Sequence, residues 1–518
     1  MLFNSYIFIF LFCPITFIVF YSIGARGYQR LAMSWLVGAS LFFYGWWNPI
    51  YLTIIVASIL VNYQLGLALG NRHNPKQSTL LLGIGIAANL GLIGYFKYAN
   101  FFLDSMNLLF ESNYHLERII LPLGISFFTF QQIAYLIDAH RGETKEYSFL
   151  HYTLFVTFFP QLIAGPIVHH KEMLPQFATV LGKKFNQANL TVGLTIFTFG
   201  LFKKVIIADT LASFATPVFS AANQGVTLTF FEAWCGALAY TFQLYFDFSG
   251  YSDMAIGLGR ICGIRLPLNF NSPYKAVNII DFWQRWHITL SRFLRDYLYI
   301  PLGGNRKGRA RQYGNLIVTM LLGGLWHGAG WTFVFWGGLH GIFLATNHAW
   351  RHLRHTFLGA DLEKKSWFGQ ISSQLLTFLL VVMSWVVFRS ESFESATSIW
   401  ESMVGFHGVS FPRLLQDLAM IYASWLPQWI IFDGMFPNDT APWAYKGILA
   451  LLITGILTWC MPNVVQIMAR ATPVIQHQPA PSVIVWHNTI YWAIGIGILL
   501  GLSILGLGSA TEFLYFQF

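Results

Sequence analysis

Long apolar runs broken by short polar punctuation make up most of the chain, and their length sets its class. Runs at 6–22, 31–47, 51–69, 79–96, 119–137, 191–207, 230–248, 315–329, 331–346, 375–387, 449–460 and 483–505 recur along the sequence. Each, with its neighbours, approaches the roughly 20 residues that a helix needs to cross a bilayer. A further run, 149–168, contains Pro160 and Pro166 in FFPQLIAGPIVHH. Proline removes a helical donor and clashes with the preceding turn, so this run predicts a re-entrant element whose broken backbone is covered by protein. The pattern predicts an all-α polytopic membrane protein with about 11–13 transmembrane helices, of which about twelve are full crossings.

Charge in the punctuation gives an orientation. Arg26 and Arg30 follow the first run, and Arg72, Arg141, Lys145, Lys171, Lys183 and Lys184 follow alternate later ones; residues 250–313, Arg351, Arg354, Lys364 and Lys365 continue the series. Cytoplasmic loops collect Lys and Arg, which places these ends inside and both chain termini outside. Lys203 and Lys204, near the predicted outer end of run 191–207, conflict with this scheme. Residues 97–118 read as an external loop, and 389–445, poor in basic residues and rich in Trp, Pro and Phe, as an external cap with short amphipathic helices. The first run has no basic segment before it and no small-residue cleavage site after it, so it reads as a retained span. Nothing in 1–518 marks a repeat, a soluble domain or a linker, and the expectation is a single membrane domain.

Composition agrees: 55% of residues are hydrophobic and 10% charged, against roughly 25% charged in soluble domains. The 49 Phe, 23 Tyr and 19 Trp suggest interfacial belts and an aromatic interior. The net charge of +9 is dispersed among loops, which argues against nucleic-acid binding. Cys13, Cys235, Cys262 and Cys460 lie in or beside apolar runs without CxxC spacing, as small hydrophobes do, and indicate neither a disulfide frame nor a metal site.

Candidate chemistry concentrates between Asp281 and Gly341. Residues 281–299 are too polar to cross a membrane. At helical spacing Trp286, Leu290, Phe293 and Tyr297 share one face, while Asp281/Arg285 and Arg292/Asp296 form i,i+4 pairs, which predicts one amphipathic interfacial helix. His287 sits on it four residues before Ser291 and reads equally as a structural or a functional group. The turn Leu302-Gly303-Gly304-Asn305-Arg306-Lys307-Gly308 offers backbone amides and cations to the phosphates of a nucleotide-type donor. It lacks P-loop spacing and reads equally as a basic loop. Together with Trp283, Trp286, Ser291 and Arg292, the residues Asn305 and Arg306 are the candidates for a donor approach.

His327 lies in LLGGLWHGAGW, with no acidic or basic residue within ten positions. Counted from Asn315 it sits about 18 Å along a helix, deep in the membrane. An imidazole there can take a proton from a hydroxyl and return one to a leaving group. Gly323, Gly324, Gly328 and Gly330 leave room for a substrate chain or for the backbone of a second helix; the alternative is a histidine bonded to a neighbouring helix with glycines for close packing. Trp326 and His340 are expected to line the same cavity. His348, His352 and His355 have ligand-like spacing, but Arg351 and Arg354 among them favour a basic face over a metal site. No Gly-x-Ser-x-Gly elbow supports a serine nucleophile.

The segments LPLGISFFTFQQIAYLIDAHRG, FFPQLIAGPI, DFSGYSDMAIG, NFNSPYKAVNIIDFWQRWHITLSRFLRDYLYIPLGGNR and GLWHGAGWTFVFWGGLHG resemble the membrane-bound O-acyltransferase (MBOAT) family. Within it they are similar to the bacterial polysaccharide branch typified by the alginate O-acetyltransferase membrane subunit. The resemblance extends from the first run to FLYFQF. It implies a ring of helices around a thinned centre where cytoplasmic and external funnels meet, with His327 catalytic and His287 a second functional histidine. It also implies an O-acetyltransferase of the bacterial inner membrane with no bound cofactor. Acetyl from acetyl-CoA or another acyl thioester would pass to hydroxyls of an exported polysaccharide such as alginate, with membrane lipid and periplasmic acetyltransferase or polysaccharide-export proteins as partners. A transporter or channel subunit is the alternative, but it calls for paired broken helices and the chain offers one. A purely structural subunit leaves His327 unexplained.

Overall fold

The computed structural model describes all residues except 71–73, 145–147, 181–184, 358, 360–365, 412–429, 432–440, 476–481, 509–513 and 515–518; the side chains of 180, 431 and 441–445 are not described. Among the described residues, twelve long helical runs correspond to the twelve apolar runs. They are α1 (Phe8–Ala25), α2 (Gln29–Gly45), α3 (Tyr51–Gly70), α4 (Pro75–Phe110), α5 (Ile125–Arg141) and α6 (Gln187–Asn223). The second half of the chain adds α7 (Phe230–Ile261), α8 (Arg309–His327), α9 (Trp331–Phe357), α10 (Trp367–Arg389), α11 (Ala441–Cys460) and α12 (Ile490–Gly506). Five of them, α1, α3, α4, α6 and α10, are long and apolar enough to cross a membrane by composition alone. α11 and α12 are apolar but shorter. The others carry polar side chains that the protein itself buries, such as Gln131 and Gln132 of α5 and Asp247 and Asp253 of α7.

Several helices run longer than the sequence pattern predicts, α4, α6 and α7 by the most. α4 continues through Lys97 to Phe110, so the predicted external loop at 97–118 begins only after that residue. α6 passes through Lys203 and Lys204 to Asn223, and α7 continues from Phe248 to Ile261, where a cytoplasmic segment was expected. For α6 and α7 the reason is charge pairing. Lys203 bonds Asp253 at 2.6 Å, and Lys204 bonds Asp209 at 2.7 Å and Asp247 at 2.8 Å. Paired charges can stay buried in a helix interior, where lone ones would force an exit. These pairs form where α6 and α7 cross on glycines: a Cβ on Gly200 would stand 2.5 Å from the Gly250 carbonyl oxygen, and one on Gly193 2.6 Å from that of Gly257. Small residues let the two backbones approach this closely.

α7 is the axis of the molecule, buried along almost its whole length. One apolar cluster, from α1, α2, α3 and α5, reaches it through Tyr251, Met254 and Leu258; another, from α8, α9 and α10, reaches it through Tyr240, Phe242 and Phe248. The proline-bearing run is broken as expected. Phe149–Thr157 and Phe159–Leu162 are helical, and the chain then runs non-helical and fully buried to His169. Its freed donors find side chains: the Phe159 N–H donates to Ser40 Oγ at 3.1 Å and the Ile167 N–H to Thr289 Oγ1 at 3.0 Å. Unsatisfied amides at membrane depth would each cost several kcal/mol.

The Tyr6 hydroxyl donates to the Ile504 carbonyl oxygen at 3.0 Å, so the start of α1 and the end of α12 share one face. Arg26 follows the last turn of α1 and Arg260 lies in the last turn of α7, ends that the bond from the Tyr21 hydroxyl to the Ile261 carbonyl oxygen brings together, and Lys171 and Arg260 line one cavity; these mark the basic face. Much of the expected cap lies outside the described residues. What is described there is an amphipathic helix, Phe393–Val404, and a two-residue parallel strand pair, Val409–Ser410 with Ile430–Ile431. Cys235 and Cys262 are buried, whereas Cys460 is exposed at the end of α11.

Candidate active site

The predicted helix over 281–299 is an elbow. Asn278 caps Ile279–Arg285, the chain turns at Trp286, and His287 takes a left-handed conformation (φ 42°, ψ 53°) before Ile288–Leu294 and a π turn, Arg295–Tyr299. A histidine at positive φ is strained and persists only where its surroundings dictate it. Here they do. The Ile288 N–H donates to the Asn269 carbonyl oxygen at 2.9 Å. Asn269 Oδ1 accepts from Thr289 Oγ1 at 2.9 Å and from the Thr289 N–H at 3.4 Å. The break separates Trp286 from the face of Leu290 and Phe293, and it also unmakes one of the predicted ion pairs. Asp281 and Arg285 pair at 2.7 Å, but Arg292 forks onto Glu172 at 2.7 and 2.9 Å, leaving Asp296 to Arg295.

Asn269 also sets the tautomer of His287. Its Oδ1 is identified by the backbone donor of Thr289, since only the oxygen can accept that bond. His287 Nδ1, 3.0 Å from the same oxygen, must therefore carry its proton, and in the neutral ring the lone pair lies on Nε2. The ring is fully buried, edge-on to Phe248 at 4.8 Å between centroids.

His327 is the last residue of α8, and Gly328 turns the chain into extended backbone. Because the helix begins at Arg309, not near Asn315, His327 lies about 27 Å from its basic end, farther than the sequence suggested. Its ring packs against Trp326 at 4.9 Å, Trp336 at 5.2 Å and Phe388 at 5.4 Å, and stands 6.4 Å from that of His287. Two hydrogen bonds of about 2.8 Å through one oxygen would span a comparable gap. Of the glycines near His327, Gly324 serves the approach of a second helix: a Cβ there would stand 2.2 Å from the Phe333 carbonyl oxygen of α9, while one on Gly328 would meet the Phe333 ring.

His340 does not join the pair. Trp283 Nε1 donates to its Nδ1 at 3.2 Å, and its Nε2 donates at 3.0 Å to Ser384 Oγ, whose own proton goes to the Val381 carbonyl oxygen. Both nitrogens are engaged, and the ring packs behind Trp336 at 4.8 Å. Trp286 is buried against Phe270 and Trp385, and Ser291 Oγ donates to the Trp286 carbonyl oxygen at 3.4 Å. Asn305 and Arg306 are exposed and remote from the histidines; Gly303 and Gly304 at positive φ serve the turn that starts α8. His352 is half-buried and meets Arg309 and Thr356.

Two cavities bear on the site, of which one is lined by His327 and the other by residues around His169. On the basic face a cavity of about 930 Å³ is lined by His169, Lys171, Glu172, Arg260, Arg265 and Arg292, among others. On the other side a chamber of about 240 Å³ is lined by Trp47, Lys97, Ser126, Phe127, Trp326 and His327, among others. A stack of rings lies between them: Tyr297 on Phe293 at 5.0 Å, Phe293 on Phe130 at 4.4 Å, Phe130 on Trp326 at 5.5 Å. At the cavity wall the Tyr297 hydroxyl donates to Asp138 at 2.9 Å and accepts from His169 Nδ1 at 3.1 Å. Burial, with Arg292 nearby, lowers the pKa of His169 to about 4. Chemically, the arrangement offers two buried imidazoles, one of fixed tautomer, with His327 lining a small chamber and a column of rings running from Trp326 toward the larger basic cavity.

The MBOAT family model, membrane-bound O-acyltransferase, matches residues 75–388, which span α4 through α10. The chain belongs to the membrane-bound O-acyltransferase family. It is therefore an acyltransferase and a multi-pass membrane protein. A peptidoglycan O-acetyltransferase of Helicobacter pylori is 44% identical over 489 residues, covering 89% of this chain and 90% of that protein. A probable alginate O-acetylase of Pseudomonas aeruginosa is 45% identical over 421 residues, 78% of this chain and 75% of its own. More distant is a teichoic acid D-alanyltransferase of Streptococcus thermophilus, 28% identical over 282 residues, 51% of this chain and 68% of its own.

Sequence reasoning on this acyltransferase missed Asn269 and Lys97. Asn269 stands in the NFNSP segment, where an asparagine reads as a turn residue; nothing local reveals that it bonds an elbow twenty positions later. Lys97 read as the first residue of a loop because a lysine ordinarily ends an apolar run.

Proposed function

We propose that this acyltransferase moves an acetyl group from acetyl-CoA, entering from the cytoplasm, to a hydroxyl of an exported cell-envelope polysaccharide, with His327 as general base. The carrying observation is the position of His327, which ends α8 with its ring toward His287 and lines the small chamber. The hydroxyl proton passes to the imidazole as the new C–O bond forms and the carbonyl electrons move onto oxygen. Collapse of this intermediate breaks the C–S bond, and the proton returns to the departing sulfur, giving ester and free thiol. General-base help of this kind contributes typically about 10² to 10⁴-fold. His287, its proton held on Nδ1, presents a lone pair in the same cage and orients the hydroxyl.

The donor reading is supported by the basic cavity, not by the turn at Asn305 and Arg306. Arg260 and Arg265 line that cavity and suit the phosphates of coenzyme A, since planar guanidinium groups bind phosphate oxygens in pairs. The acceptor reading draws on the relatives, one named for peptidoglycan and one for alginate. A chamber of about 240 Å³ suits one sugar unit or one partner side chain at a time. A periplasmic acetyltransferase or polysaccharide-export protein then carries the acetyl group onward or presents the polymer. In this reading the basic face is cytoplasmic, and both termini lie outside the bacterial inner membrane.

The test uses purified protein in vesicles with [¹⁴C]acetyl-CoA supplied at the basic face and an acceptor glycan at the other. Labelled ester on the glycan is expected, and Arg260→Gln with Arg265→Gln should raise KM for acetyl-CoA. Unchanged KM in the double variant, or no consumption of acetyl-CoA where another thioester is used, contradicts the donor assignment.

A further inference from the structure

The end of α8 poses an accounting problem. A helix leaves its last four carbonyl groups without partners inside the helix, and buried carbonyls must find them elsewhere. Gly328 N–H takes that of Gly324 at 3.4 Å. The remaining three are met by two adjacent residues of α4: the Tyr98 hydroxyl donates to Leu325 O at 2.8 Å, and Lys97 Nζ donates to Trp326 O at 2.6 Å and His327 O at 3.2 Å.

Lys97 and Tyr98 can act side by side because α4 contains a π turn, Gly94–Tyr98, at this level. Such turns add a residue to the helix and recur at functional sites. Among the described residues Lys97 forms no ion pair with a carboxylate; what faces it is the negative end of the α8 dipole. An intramembrane ammonium is expensive, and its placement on one helix terminus calls for a use. The terminus it holds is that of His327, and Lys97 and His327 line the same chamber.

We propose that Lys97 is a positioning residue: with Tyr98 it clamps the end of α8 and so fixes where the His327 imidazole meets the acceptor hydroxyl. This rests on the reading of His327 as the proton-transfer group. An ammonium has three donors and two of them are spent on α8; Lys97 is also the one charged side chain among the described residues that line the chamber. A loosened clamp lets the imidazole drift, and a displacement of about 1 Å can cost about 10²-fold in rate.

The experiment compares Lys97→Met, Lys97→Arg and Tyr98→Phe in the full chain, measuring turnover per folded molecule by size exclusion and thermal unfolding in detergent. Lys97→Met is expected to lower kcat by about 10²-fold with KM for acetyl-CoA unchanged. Lys97→Arg, which keeps charge and donors, should recover most of that loss, and Tyr98→Phe should lose less than Lys97→Met. Surface-glycan O-ester content in cells expressing each variant gives the same ranking whatever the native donor, so failure of the acetyl-CoA reading is separable from failure of this one. Wild-type turnover per folded molecule in Lys97→Met overturns the proposal. So does Lys97→Arg failing as fully as Lys97→Met while both remain folded. Should Lys97→Met not fold, wild-type glycan ester in Tyr98→Phe together with a dead, folded Lys97→Arg overturns it.

Discussion

Asn269 and His287 meet through a single oxygen: Asn269 Oδ1 lies 3.0 Å from His287 Nδ1 and also accepts both the hydroxyl and the backbone N–H of Thr289. One side chain thereby holds a strained turn and fixes which nitrogen of a buried imidazole carries the proton.

Replacing it should separate the two roles. Asn269→Ala leaves His287 Nδ1 and Thr289 without their acceptor, a loss of about 1–3 kcal/mol for a buried group, and should reduce turnover at least about tenfold by freeing the tautomer. Asn269→Asp keeps the acceptor and loses only the bond from Nδ2 to Ser252 Oγ. It should retain more activity than the alanine variant. Equal activity of the two, measured per folded molecule, contradicts the tautomer argument.

The contact of α8 with α9 can be tested at Gly324. A Cβ there would stand 2.2 Å from the Phe333 carbonyl oxygen and 3.1 Å from Gly337 Cα, all backbone, so one helix must shift. Gly324→Ala should cost about 1–3 kcal/mol in thermal stability, as overpacking does, and should lower activity because His327 rides on the same helix. Gly314→Ala, on that helix but with nothing within 4 Å, is the control and should leave both unchanged.

Acid should loosen the wall of the basic cavity. His169, outside the membrane-spanning helices, has its pKa lowered to about 4 by burial and then by Arg292, against which Glu172 and Asp296 act. A histidine whose folded pKa lies below its unfolded value binds more protons when unfolded, so stability falls as pH drops from about 6.5 toward 4 and is level above that window. Unfolding curves from pH 8 to 4 should show this loss, and His169→Gln, which cannot protonate, should reduce it. An identical pH dependence in the variant contradicts the assignment.

The crossings and the broken element at 149–168 were legible because hydrophobic length and proline are local signals. What misled was charge. Lys97 read as the end of a span and Lys203 and Lys204 as charges out of place near the end of one, yet each lies inside a helix, because it meets a partner from a distant segment: the end of α8 for Lys97, Asp253 for Lys203 and Asp247 for Lys204, which also pairs with Asp209 of its own helix. The same limit applies to the site. His327 stands out in the sequence as a lone imidazole among apolar residues, while the elbow that seats His287 and its bond to Asn269 are long-range features that no local pattern reveals. His340 looked equivalent to His327 in its glycine and tryptophan setting; only the bonds to Trp283 and Ser384 set it apart.

Proton transfer by His327 is tested by acetyl transfer with purified His327→Ala and His327→Gln in vesicles, normalised to folded protein. Both variants should lose about 10² to 10⁴-fold in kcat, with KM for acetyl-CoA held close to wild type and thermal stability retained. Transfer at the wild-type rate by either folded variant would contradict it.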